Sequence, residues 1–162
     1  MRVSAGLLIY RKSPELEVFL VHPGGPFWAR KNAWGIPKGE YEDNEDPLEA
    51  ARREFKEETG LEAPEGKYLE LGEIKTSGKK ILAWAVIGNP DPATISSNTM
   101  VIEWPPKSGQ KQEFPEVDKA AWLSLAEAAP LMHKGQEEFL SRLAGLLGYE
   151  VEPAQPTQSS LF

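Results

Sequence analysis

The 162 residues are 40% hydrophobic and 27% charged, which predicts one globular domain burying roughly 70% of its unfolded surface and excludes a disordered chain or a disulfide-stapled miniature. A formal charge of −7, from 25 acidic and 18 basic residues, argues against a protein that wraps a nucleic-acid backbone. No DNA binding is expected, although a small polyanion remains compatible if positive charge is concentrated locally. With no cysteine and only His22 and His133 as histidines, thiol nucleophiles and Cys-rich zinc sites are excluded and a His-rich metal centre is disfavoured, so a bound metal must have mostly oxygen ligands. No membrane span is expected, and the opening MRVSAGLLIYRKS lacks the long apolar core of a secretory signal, so the expected location is cytoplasmic.

In chain order, residues 3–10 and 16–22 are apolar and partly β-branched, and the RKSPE between them suits a turn, which predicts a β-hairpin. HPGGPFWARKN is too rich in Gly and Pro for regular structure, and AWGI reads as a short strand ending at Pro37. A helix is predicted over 47–59: Asp46 is a good N-cap, Pro47 fits the first helical position, Glu49 completes a capping-box variant and Gly60 supplies a left-handed stop. Its Leu48, Ala51 and Phe55 define one narrow apolar stripe. Residues 67–76 and 80–87 read as strands joined at Ser77 and Gly78, and 100–104 as another short strand. WPPKSGQKQEFPEVDK reads as a long polar loop, of a length that often carries function. Residues 120–123 read as a strand, Ser124 and Glu127 as a capping box for a brief helix that Pro130 disturbs, and 136–147 as a last helix with Phe139, Leu140, Leu143, Leu146 and Leu147 on one side. Residues 1–148 are expected to form a single domain, and 149–162 a disordered or loosely docked tail.

Inside the predicted helix, Glu54, Glu57 and Glu58 stand at i, i+3 and i+4, which places three mutually repelling carboxylates on one face. Oxygen coordination of a divalent cation would turn that repulsion into binding, with Mg²⁺ favoured and Mn²⁺ the alternative. Just upstream, Lys38 can reach a phosphate and Gly39 allows close backbone approach. Three glutamates on a helix are most often just a solvated face, so the wider pattern has to carry the assignment.

From Gly39 to Leu61 the sequence reads GEYEDNEDPLEAARREFKEETGL, which resembles the Nudix box at every specified position: Gly39, Glu45, Arg53, Glu54, Phe55, Glu57, Glu58, Gly60 and Leu61. A chance match at a given start is on the order of one in a billion from average residue usage. The resemblance implies an α/β (α+β) fold, the Nudix α/β/α sandwich with a mixed β-sheet and a loop-helix-loop catalytic motif. It implies divalent metal, usually Mg²⁺, on Glu54, Glu57 and Glu58 with the Gly39 carbonyl as a further ligand, Arg53 orienting the helix carboxylates, and Glu45 and Gly60 as structural members of the box.

The implied reaction is attack of metal-activated water on one phosphorus of a nucleoside diphosphate linked to X. Many relatives carry a base or extra metal ligand six residues ahead of a strand tryptophan. Counting back from Trp122 gives Glu116, with Glu113 as second choice. Trp28, Arg30, Lys31 and Lys38 are the candidate substrate contacts, an aromatic for a base and cations for phosphates. Further lysines, Lys75, Lys79, Lys80, Lys107 and Lys111, could line a positive rim.

The proline and tyrosine that mark two family subclasses beyond the box are absent from Thr76-Ser77-Gly78-Lys79. The lack of cysteine excludes the isopentenyl-diphosphate isomerase branch. AWGIPKGE is similar to the corresponding segment of MutT-like and diadenosine-tetraphosphate-type hydrolases, which favours a nucleoside triphosphate or dinucleoside polyphosphate as small-molecule substrate. The alternatives are a non-catalytic Nudix ligand-sensing or interaction domain and an RNA 5′-end pyrophosphohydrolase. Many relatives are dimers, so a monomer or homodimer is expected. Residues 40–73 hold 13 of the 25 acids and 4 of the 18 bases, so the negative excess is centred on the predicted metal helix.

Overall fold

A computed structural model describes residues 2–12 and 14–149. Its centre is β1 (Arg2–Lys12), in which Ser4 to Tyr10 are all buried. Alternate side chains of a strand point to opposite faces, and here both faces are covered. Leu8 and Tyr10 join one apolar cluster, while Ala5, Leu7 and Ile9 join another. β2 (Leu16–Pro23) follows the same rule, with Val18 and Leu20 in the first cluster and Phe19 and Val21 in the second.

Two helices supply the covering layers. α1 (Pro47–Thr59) buries Ala50, Ala51 and Phe55 on the Leu7 side, and α3 (Glu138–Leu147) buries Phe139, Leu140 and Leu143 on the Leu8 side. The result is an α/β/α sandwich around a mixed sheet, as expected. β4 (Leu69–Thr76), β5 (Lys79–Ile87) and β8 (Val117–Ser124) complete the sheet order β4-β5-β1-β2-β8, with β1 and β5 parallel and the other pairs antiparallel. The free edge of β1 is shared. β2 pairs with it from Ile9 to Lys12, and β3 (Lys38–Glu40) pairs with it from Ser4 to Gly6.

Helix α1 starts and stops where the sequence predicts. The Asp46 side chain accepts from the Glu49 amide at 3.0 Å, and Gly60 caps the C-terminus at φ 77°. Ser124 and Glu127 form a reciprocal capping box on the four-residue α2 (Leu125–Ala128).

Four expectations are corrected. Trp34 and Gly35 make only isolated bridges, to Met132 and Val21, and the strand of that region begins after Pro37, whose carbonyl accepts from the Leu7 amide. The polar loop contains β7 (Lys111–Pro115), which pairs with β6 (Thr99–Glu103) as a separate two-stranded hairpin. Only Phe114 is even half-buried in β7, so no hydrophobic alternation announces it. α3 starts only at Glu138, because Gln136 lies in the preceding turn, its backbone amide donating to the His133 carbonyl at 3.0 Å while its buried side-chain oxygen accepts from the Ile36 amide at 3.0 Å. Leu146 is exposed. The tail expectation lies, apart from Tyr149, outside the described residues, of which no helix is long and apolar enough to cross a membrane.

Phe55 is fully buried with its ring centroid 6.2 Å from that of Phe19. Replacing Phe55 by Ala leaves a cavity between helix and sheet, and chemical denaturation should show a loss of about 3–5 kcal/mol.

Candidate functional site

α1 carries its box residues on the side turned toward β3. Arg53 organises them. Its Nε and Nη2 donate to the two Glu45 oxygens at 2.8 and 3.2 Å, a forked pair, while Nη1 donates to Glu54 Oε2 at 2.7 Å and Glu57 Oε2 at 3.1 Å. One guanidinium thus holds three carboxylates and its own pKa is raised, first by the bond to Glu45. The same bond lowers the pKa of Glu45. Glu54 moves the other way because burial outweighs the Arg53 contact, with the Glu57 charge adding to the rise.

Gly39 lies so close to Glu54 that a Cβ built on it would stand 1.9 Å from Oε1. Only hydrogen fits there, so the β3 backbone is pressed against the most buried carboxylate of the Arg53 cluster. Glu58 accepts from the Lys38 amide at 3.3 Å, and burial pushes its carboxyl up to about 8 despite the nearby Lys38 charge. Lys38 is lowered, again first by burial and then by Lys79, with Glu58 opposing. Both members of this pair are displaced toward neutrality, so desolvation exceeds their mutual attraction.

Among the described residues no three acidic or histidine side chains converge closely enough to hold an ion, and Glu54 and Glu57 are both engaged by Arg53. The donor set nevertheless fits a hard divalent cation: half-buried carboxylates, of which Glu54 and Glu58 have raised proton affinity, all oxygen, against a backbone that approaches within contact distance.

A pocket opens beside this cluster at the split edge of β1. Lys38, Glu58, Lys79, Glu116, Trp28 and His133 line it, over a floor that includes Val21, Ile36 and Gln136. Trp28 meets His133 edge-on at 5.8 Å. His133 is lowered by burial and by the charges of Lys38 and Lys79, and Glu116 is raised by burial and by Glu57.

Main-chain bonds fix Glu116 to the helix. The Asn98 amide donates to the Glu57 carbonyl at 2.9 Å, the Glu116 amide to the Asn98 carbonyl at 2.8 Å, and the Gly24 amide to the Glu116 carbonyl at 2.9 Å. A second, open depression at Arg2, Glu40, Glu42 and Asp43 has none of these residues in its lining.

The structure therefore brings Lys38, Glu58, Glu116 and Trp28 together, with Arg53, Glu54 and Glu57 adjoining. Glu113 lies elsewhere, on the hairpin, accepting from the Thr99 hydroxyl at 2.9 Å. Arg30 and Lys31 are exposed and outside the lining, and the Lys31 ammonium sits 3.5 Å from the Phe27 ring centroid. Lys79 is singled out from the rim lysines by its position at the start of β5, opposite Arg2. His133 and Gln136 were invisible to spacing rules because they sit in the irregular link before α3.

A model of the NUDIX domain matches residues 1–143. The chain is 31% identical over 109 residues to bis(5′-nucleosyl)-tetraphosphatase (asymmetrical) of Caenorhabditis elegans, an alignment spanning 62% of this chain and 76% of that one. Nudix hydrolase 7 of Arabidopsis thaliana is 35% identical over 80 residues, 49% of this chain and 27% of that protein, so the chain spans about a quarter of that relative's length. In fold it is similar to the Caenorhabditis elegans Ap4A hydrolase binary complex, with a TM-score of 0.67 at 22% identity over 91% of this chain and 98% of the other. Together with the complete box and the α/β/α sandwich that carries it, these matches establish that the chain belongs to the NUDIX family.

Proposed function

We propose that residues 1–148 form a single pyrophosphohydrolase domain that cleaves a diphosphate linkage in a nucleoside diphosphate linked to X, with a nucleoside triphosphate or dinucleoside polyphosphate as substrate. The observation that carries this reading is the placement of Glu58, Glu116, Lys38 and Lys79 around one pocket beside the Arg53 carboxylate cluster. The similarity to a bis(5′-nucleosyl)-tetraphosphatase favours the dinucleotide end of that range.

Glu54, Glu57, Glu58 and the Gly39 carbonyl would hold Mg²⁺ or Mn²⁺, which supplies Lewis acidity to activate water and offset phosphate charge. The chain's own groups do the rest. Glu116, its proton affinity already raised by burial, takes a proton from the attacking water as the new bond to phosphorus forms and the bridging P–O bond breaks. Lys38 and Lys79 hold the non-bridging oxygens, and Trp28 offers an edge or face to the base. Arg53 gathers Glu54 and Glu57 on one nitrogen and offsets their repulsion, with Glu45 steadying Arg53 from behind.

The deciding experiment is turnover by the purified protein with Mg²⁺ on a panel of nucleoside triphosphates, dinucleoside polyphosphates, nucleotide sugars and triphosphorylated RNA, with products identified in ¹⁸O-labelled water. Hydrolysis of a nucleotide at a diphosphate linkage supports the reading. Tight nucleotide binding without turnover would replace it with a sensing domain, and exclusive turnover of RNA with an RNA 5′-end enzyme.

Glu57→Gln and Glu58→Gln should each reduce kcat by more than about a hundredfold, beyond the tenfold to hundredfold typical of residues that only support a metal ligand. Gly39→Ala should be as damaging to activity while circular dichroism stays unchanged, since its Cβ must displace the Glu54 carboxylate.

The raised Glu58 carboxyl also sets a pH dependence. Its folded pKa of about 8 stands above the ordinary glutamate value near ~4.3, so the native state binds more protons in that interval and stability falls as pH rises through it. In EDTA, thermal unfolding should therefore shift downward between pH 5 and 8. Glu58→Gln should flatten part of that slope, leaving the same-sign contributions of Glu54 and Glu116.

A further inference from the structure

His22 is 2% exposed, ends the apolar run of β2, and has no part in the proposed chemistry. Its ring is gripped from three sides. Nε2 lies 2.8 Å from the Lys31 carbonyl oxygen, Nδ1 lies 3.1 Å from Asp118 Oδ1, and the Trp34 ring meets it edge-on at 5.4 Å.

Two sequence features create this arrangement. The β2–β8 register shifts here, with His22 opposite Lys119 and Pro23 opposite Val117, so Asp118 is the extra residue of a β-bulge, a device that re-aims a side chain. Gly24 follows at once, and a Cβ on it would stand 2.1 Å from the Pro115 carbonyl oxygen. The loop therefore leaves β2 in van der Waals contact with the segment that carries Glu116.

We propose that His22 is a positioning residue that clamps the pocket-lining loop 24–32 to the start of β8 and so sets the spacing between Trp28 and Glu116. The loop is otherwise tied at its base by the Gly24 bond to Glu116 and internally by turn bonds such as Lys31 N–H to the Trp28 carbonyl at 3.0 Å. The His22 contact fastens it at Lys31, three residues past Trp28 and ahead of the Trp34–Leu131 and Val21–Gly35 main-chain bonds that hold the chain beyond it. Both partners of the ring are acceptors, a carbonyl and a carboxylate, and a neutral imidazole has only one N–H. Each ring nitrogen thus faces one acceptor, Nε2 the loop carbonyl and Nδ1 the carboxylate. The other charged group opposite it, Lys119, extends over Trp34 at 5.7 Å.

The clamp rests on the proposed nucleotide site only where substrate affinity is the readout, so the test has two arms. In His22→Gln the amide nitrogen replaces Nε2 and can still donate to Lys31, whereas in His22→Asn it replaces Nδ1 and can serve only Asp118. Amide hydrogen exchange of residues 25–32 should quicken in His22→Asn and stay near wild type in His22→Gln. On a nucleotide that the wild type hydrolyses, His22→Asn should raise KM about tenfold, the equivalent of one lost hydrogen bond, with kcat within about twofold. His22→Gln should restore KM.

Equal exchange in the two variants overturns the clamp whatever the substrate. So does an unchanged KM in His22→Asn, or a kcat loss that follows Tm in both variants, the pattern of a merely structural core histidine. If no nucleotide is turned over, the proposed function fails while the exchange arm still decides the clamp.

Discussion

The sharing of one edge of β1 between β2 and β3 is the constraint on which the rest of the molecule depends. β1 is buried on both faces, so it cannot move to suit either neighbour, and its edge is taken by β2 from Ile9 onward and by β3 up to Gly6. Between those segments the Leu7 amide is satisfied by the Pro37 carbonyl rather than by a regular ladder. The fork opens the sheet where two strands would otherwise close it. Into that opening come Lys38 and Gly39 from β3, Lys79 from the start of β5, the loop leaving β2 and the segment entering β8. The apolar interior thus decides where polar chemistry can be housed.

What is housed there opposes folding. Glu54, Glu58 and Lys38 are all displaced toward their neutral forms by burial, and a helix with three carboxylates in one turn gains nothing from their proximity. Packing and caps offset this: Phe55 fills the gap beneath the helix, Asp46 and Gly60 satisfy its ends, and Arg53 distributes one positive charge over Glu45, Glu54 and Glu57. Local instability concentrated at one site and compensated elsewhere is the usual signature of a group kept for function rather than for stability.

The sequence was most informative where one local rule decides the outcome. Helix α1 is bounded by residues whose backbone chemistry is nearly unambiguous, and β1 and β2 carry long apolar runs that have no other home. The spacing of Arg53 and the glutamates carried the family because it is contained within a single helix. Legibility ended where tertiary contact replaced local pattern. β7 is a strand without a buried face, so its Lys-Gln-Glu-Phe-Pro gave no alternation to read. Trp34 and Gly35 look like strand but are held by single bridges, to Met132 and Val21 respectively. His133, Gln136 and Lys79 reach the pocket from elements far apart in the chain. Arg30 and Lys31, adjacent in sequence to Trp28, follow a turn that carries them outward.

The relay of main-chain hydrogen bonds from Glu57 through Asn98 and Glu116 to Gly24 makes the scaffold modular. Helix α1, Glu116 and the loop after β2 are spaced by main chain, braced by the Ser97 hydroxyl, which accepts from the Val117 amide at 3.1 Å, so the ruler is indifferent only to the side chains on the outer turn of the loop. Engineering can therefore treat the tip of the β6–β7 hairpin and the exposed residues Phe27, Arg30 and Lys31 as interchangeable fittings. Residues 22, 24 and 39, by contrast, belong to the frame, where geometry and not affinity for a particular nucleotide dictates the choice.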